Sequence, residues 1–133
     1  MTETETIELL NTKFDLRLVK ADDKYSSFDA ESAKFIVEIK NRRKYYETKV
    51  IEALKIFSNY QKSQLKDKEF LYIVEDPKGV WIFNISKNIK DVIKEGAQAM
   101  WQPRTTDFGC KDKIIKYSYL LKENLAYHLD LNK

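Results

Sequence analysis

The six residues Phe35-Ile36-Val37-Glu38-Ile39-Lys40 constrain this chain more than any other stretch. Three apolar residues in succession ask for a strand covered on both faces. Two charged residues then follow, two positions apart. Residues two apart on a strand share a face, so Glu38 and Lys40 stand side by side while Val37 and Ile39 point the other way. A strand that is apolar at its start and charged at its end carries its polar pair toward its C-terminal end. Strand ends beside a following helix are common places for sites.

The surrounding elements follow from periodicity and turn chemistry. Residues 3–11 suggest a short helix, and Phe14, Leu16 and Leu18 alternate as in a half-buried strand. Residues 21–24 read as a turn, and residues 25–29 and 34–40 as two strands joined by Ala30-Glu31-Ser32-Ala33. Residues 46–64 form the strongest helical pattern, with Val50, Leu54, Phe57 and either Tyr60 or Gln61 as its stripe, widened by Ile51 and Ile56. Residues 70–75 and 80–85 flank Asp76-Pro77-Lys78-Gly79, a hairpin turn. A short helix is expected over 87–95, ending at Gly96, then irregular chain over 97–112, a strand over 113–119 and a helical tail from Leu120. The order predicts an α/β domain with a central mixed sheet flanked by helices.

With 133 residues, 43% of them hydrophobic, the chain suits one domain spanning 1–133 with a real core. No run approaches the ~20 apolar residues that span a membrane, and the acidic start Met1-Thr2-Glu3-Thr4-Glu5-Thr6 is unlike a signal peptide. The cytoplasm is the default location, that of the host if the chain is phage-encoded. One cysteine, Cys110, and one histidine, His128, exclude an internal disulfide and a Cys/His zinc cage. A net charge of +3 does not by itself name a nucleic-acid partner. The clusters Lys40, Arg42, Arg43, Lys44, Lys49 and Lys111, Lys113, Lys116 are better placed to meet phosphate, although the second suits a plain solvated surface equally well.

Acid-x-Lys triplets occur four times, at 22–24, 38–40, 47–49 and 76–78, so spacing alone singles out none of them. Two lie in turns and one lies at the start of the expected long helix, where a Glu suits the dipole. Only Glu38 and Lys40 lie on a strand with an apolar run before them. A hairpin between the flanking strands brings Asp29 near Glu38. Two neighbouring carboxylates repel, and a cation resolves the repulsion; oxygen donors select Mg²⁺, with Mn²⁺ as a substitute. Asp29, Glu38 and the Ile39 carbonyl are the expected metal ligands, and Lys40 the group that contacts the phosphate or orients the water. The plainer reading is a solvated strand-edge ion pair worth only ~0–1 kcal/mol.

These residues resemble the PD-(D/E)xK nuclease superfamily, which includes restriction endonucleases, Holliday-junction resolvases and many small phage enzymes. Phe28-Asp29 fills the "PD" position, with Phe28 in place of proline, and Glu38-Ile39-Lys40 fills "(D/E)xK". The order of elements over residues 3–75 is similar to the family core. The stretch from Glu38 through the hairpin at 70–85 is also similar to small phage-encoded members. The resemblance implies a restriction-endonuclease-like fold and a Mg²⁺-dependent DNA endonuclease with Asp29, Glu38 and Lys40 as its catalytic set. It further implies an acid on the first helix, for which Glu8 is the first candidate and Glu5 the second. A polar residue on the helix after the motif is also common, with Lys49 first, then Glu52 and Gln61. Arg42, Arg43, Lys44, Lys49 and Arg104 are the expected DNA contacts, and a homodimer follows if both strands are cut. The alternatives are a non-catalytic DNA-binding or interaction module on the same fold, or a phage protein that meets a host partner through its aromatic hairpin.

Trp81 and Phe83 read as core or sheet face more readily than as a base-stacking platform. The segment 101–107, with Trp101 and Arg104, suits a connecting loop or a backbone contact equally. His128 reads as structural and Cys110 as no nucleophile, for want of a partner base.

Overall fold

The computed structural model of the protein describes residues 1–23, 26–104 and 112–131. Cys110 and residues 105–107 of the segment 101–107 lie outside them, as do Lys111, Lys24 of the expected turn at 21–24 and Tyr25 of the expected strand at 25–29. Helix α1 (Glu3–Phe14) starts where Thr2 and Glu5 exchange side-chain and backbone hydrogen bonds of 3.1 and 3.2 Å. It runs three residues past the expected end and stops at Asp15, which takes the left-handed conformation at φ 51°. The strand expected over 14–18 is therefore absent. The Asn11 side chain instead clasps Leu18, accepting from its N–H at 2.8 Å and donating to its carbonyl at 3.0 Å. A strand resumes only at β1 (Val19–Lys20).

A hairpin forms, but not with the expected bounds: the described residues 26–29 are not a strand, and β2 (Ala30–Glu31), inside the expected turn, pairs with β3 (Phe35–Asn41). The helix expected from residue 46 begins later. Lys49–Glu52 form strand β4, because the β-branched pair Val50 and Ile51 packs against a partner strand. Helix α2 (Ala53–Leu65) follows. Its buried positions are Ala53, Ile56, Asn59 and Ser63, whereas Leu54 and Phe57, expected to be inside, are 79% and 55% exposed.

The hairpin of β5 (Glu69–Asp76) and β6 (Gly79–Asn84) matches its turn chemistry. Gly79 sits at φ +126°, and a Cβ there would lie 2.2 Å from the Leu129 carbonyl oxygen, so glycine is required. Helix α3 (Ile89–Ile93) is shorter than expected. Two further departures are strands where irregular chain or helix was expected: β7 (Gln98–Pro103), and β9 (Ala126–Leu129) after a 3₁₀ turn at Glu123–Leu125. Strand β8 (Lys113–Leu121) appears as expected, extended by two residues. The tail becomes a strand because β6 offers it an edge, and His128 stacks on Trp81 at 3.7 Å.

The result is a mixed α/β architecture. A six-stranded sheet runs β1-β2-β3-β5-β6-β9, with β3 and β5 parallel and the other pairs antiparallel, and a three-stranded antiparallel sheet runs β4-β8-β7. Alternation along β3 and β5 divides the core. Val37, Ile39, Leu71 and Ile73 pack with Ile7 and Leu10 of α1, while Ile36, Phe70, Tyr72 and Val74 pack with Ile56 of α2. Among the described residues, no helix is long and apolar enough to cross a membrane.

Candidate metal and phosphate site on the β2–β3 hairpin

Ala30 pairs with Val37 and Glu31 with Ile36, and Asp29, just before β2, lies against the Val37–Ile39 stretch of β3 that carries Glu38. Two bonds fix Asp29 there. Its N–H donates to the Val37 carbonyl at 2.8 Å, and its Oδ2 accepts from the Ile39 N–H at 2.7 Å. The N–H and C=O of a strand residue point to the same edge, so the Ile39 carbonyl also faces the Asp29 side of β3.

Glu38 and Lys40 lie on the face that carries Ile36, and their neighbours across β5 are Tyr72 and Val74. An acid on an apolar sheet face loses its water: Glu38 is 3% exposed. Burial, then the charge of Asp29, pushes its carboxyl from 4.5 up to about 7, against the pull of Lys40 and Lys55. The ammonium groups of Lys40 and Lys55 stand 3.6 and 3.8 Å from Glu38 Oε1. Asp29 is also raised by burial, with the Ile39 N–H and then Lys40, Lys55 and Lys20 opposing the shift.

This predicts a pH dependence for the metal-free fold. Below 4.5 the folded and unfolded chains both hold the Glu38 proton, and its burial carries no ionisation cost. Between 4.5 and about 7 the folded chain keeps a proton that the unfolded chain has lost, so stability falls as pH rises. The full loss is roughly 3 kcal/mol. Urea melts across pH 4–8 in a chelator should show the decline, and a flat profile over that window contradicts it.

The structure does not bring every expected residue to the site. Glu8 is exposed, and its backbone carbonyl accepts from the Thr12 hydroxyl at 2.8 Å. Glu5 is committed to the capping box. The first-helix acid that feels Asp29 is Glu3: burial raises its carboxyl first and the charge of Asp29 second, while Lys20 at 3.7 Å counters both. Glu8 lies five residues further on, about 140° around the helix, and so faces elsewhere. Sequence reading missed Glu3 because the capping box that sets the helix start, and with it the first turn, was not phased.

Lys49 is corrected in two respects. It belongs to β4 and not to a helix, and its ammonium is buried against Asp76 at 3.4 Å and Glu123 at 3.1 Å. Glu52 pairs with Lys116 at 3.0 Å and Gln61 is exposed on α2. The helix residue that reaches Glu38 is Lys55. A helix phased on Ile56, rather than on the Leu54–Phe57 stripe, would have turned Lys55 toward β3. Arg42, Arg43 and Lys44 are exposed directly beyond Lys40, and the Arg42 N–H extends the β3–β5 ladder to the Glu75 carbonyl at 2.7 Å. Arg104 is exposed at the end of β7, on the smaller sheet, where its N–H donates to the Asp112 carbonyl at 2.9 Å.

Among the described residues, no three His, Cys, Asp or Glu side chains converge closely enough to hold a metal ion. Glu3 therefore acts on Asp29 through space and completes no three-carboxylate cage. Two carboxylates whose proton affinity burial raises, with a backbone carbonyl beside them, still form an all-oxygen donor set. That set fits Mg²⁺, which takes one or two carboxylates and fills its shell with water and substrate oxygens. Set against known proteins, the chain matches no family model and no curated sequence.

Proposed function

We propose that this protein is a Mg²⁺-dependent DNA endonuclease built on a restriction-endonuclease-like core. The observation that carries the reading is the Asp29 carboxylate, held by the Ile39 N–H beside Glu38, with Lys40 and Lys55 both within 4.0 Å of Glu38. Buried carboxylates with perturbed proton affinity beside fixed cations are a functional-site signature. The element order α1-β1-β2-β3-β4-α2-β5, with β3 and β5 parallel and β4 set apart in the smaller sheet, supports the fold assignment.

Asp29, Glu38 and the Ile39 carbonyl would hold the ion, which when bound polarises the phosphodiester and lowers the pKa of a bound water. Lys40 and Lys55 then lose Glu38 as their counter-ion in part and present positive charge to the scissile phosphate. The Ile39 N–H fixes the orientation of the Asp29 carboxylate. Arg42, Arg43 and Lys44 extend the positive strip along the DNA backbone, and a homodimer serves if both strands are cut.

The test is incubation of supercoiled plasmid, linear duplex and branched DNA with Mg²⁺, Mn²⁺ or a chelator. Cleavage with either ion and none with chelator supports the reading. Intact DNA in every arm favours a non-catalytic module. In the same assay Glu3→Gln should slow cleavage by ~10-fold, the size expected for a group that supports a metal ligand, and Glu8→Gln should cut at the wild-type rate. Equal rates for the two would remove Glu3 from the site.

A further inference from the structure

A concave pocket of about 320 Å³ opens between the segment after β3 and strand β7. Tyr72 and Val74 form part of its wall, and these are the direct β5 neighbours of Glu38 and Lys40. The pocket therefore lies one strand spacing, ~4.8 Å, from the backbone that carries those two residues. It sits at the C-terminal ends of the parallel strands β3 and β5, where α/β sheets hold their ligands.

Arg42, Lys44 and Tyr46 line the pocket on one side and Gln102 on the other. Arg42 and Lys44 are exposed, and Tyr46 is 60% exposed, so its ring offers a free π-face. Among the described residues, the one acid in the lining, Asp76, is already paired with Lys49 at 3.4 Å. The charge left to a ligand is positive and the walls are aromatic and aliphatic, a combination suited to a base and its phosphate. A volume near the lower end for ligand sites admits one base and excludes a base pair still stacked in duplex.

We propose that this pocket receives an unpaired nucleobase adjacent to the scissile phosphate. The preferred substrates are then DNAs with unpaired nucleotides beside the cut, such as flaps, branches and single strands. The inference rests on the nuclease reading for its DNA partner and deepens it by naming the substrate class. Tyr46 stacks on the base, and Arg42 and Lys44 hold the flanking phosphates.

Binding in chelator separates the two claims, because no cutting occurs there. Oligonucleotides carrying 2-aminopurine in a single-stranded flap or in duplex would be titrated with the full chain. Wild type should bind the flap at least about fivefold tighter than duplex, with quenched 2-aminopurine fluorescence, from one base–aromatic stack. Tyr46→Ala removes the ring, and Thr48→Trp, at an exposed lining position, fills the pocket. Both should bring the flap-to-duplex ratio close to one while leaving duplex affinity unchanged. A wild type without flap preference, or variants that both keep it, overturns the pocket assignment. If such a result accompanies Mg²⁺-dependent cleavage, the nuclease reading survives alone. Flap preference and its loss in both variants, with no cleavage in Mg²⁺ or Mn²⁺, overturns the nuclease reading and leaves the pocket.

Discussion

Glu38→Gln should slow metal-dependent DNA cleavage by more than ~10²-fold, beyond the cost of losing a group that only supports a ligand. The same substitution should stabilise the metal-free fold at neutral pH. Glutamine keeps the shape of the side chain and removes the buried charge that β3 forces onto an apolar face. Glu38 titrates near 7 because it is buried and faces Asp29, so at pH 8 the folded wild type carries a carboxylate its surroundings disfavour. Removing that charge recovers up to roughly 3 kcal/mol. The two effects have opposite signs, and a merely structural ion pair would not produce them together. Urea melts at pH 5 and pH 8, with parallel cleavage assays, check both. Loss of stability at pH 8, or retained cleavage, contradicts the assignment.

The second large effect lies away from the site. Lys49→Met should destabilise the protein by ~3–5 kcal/mol, the cost of stranding buried charge. The Lys49 side chain is 2% exposed, and its ammonium sits 4.2 Å from the ring centroids of both Tyr45 and Trp81. It donates to the Tyr46 carbonyl at 2.6 Å and pairs with Asp76 and Glu123. Asp76 also accepts from the Lys78 N–H at 2.8 Å and the Trp81 indole at 3.2 Å, so one ammonium ties β4 to the β5–β6 turn and to the 3₁₀ segment. Methionine fills the volume but leaves Asp76, 4% exposed, without its cation. Asp76→Asn added to Lys49→Met should restore part of the loss. Denaturant melts decide: a loss under 1 kcal/mol would make the pair equivalent to a surface bridge.

Much of the site was legible because it is local. Thirteen consecutive residues, Asp29 to Asn41, carry both acids and Lys40, and a short hairpin connection between them leaves little freedom of register, although its strand and turn fall a few residues from where the sequence suggested. What escaped was set by contacts distant in sequence. Lys55 depends on how α2 rotates over the sheet, and that rotation follows Ile56 and Asn59, whereas the exposed Leu54 and Phe57 suggested another face. Lys49 reads as a helix residue until β8, some seventy positions later, pairs with β4. The tail reads as helix until the free edge of β6 is known to exist, and the strand at 98–103 appears only because 113–121 lies beside it. In each case tertiary pairing overrode local propensity.

The most direct test of the central claim is cleavage of a branched and a linear DNA in Mn²⁺ by wild type, Asp29→Asn, Glu38→Gln and Lys40→Ala, each shown to be folded by its melting curve. The account predicts cutting by wild type and a loss of more than ~10²-fold in all three variants. Cutting by all three variants at the wild-type rate would show that the β2–β3 hairpin is not the active site.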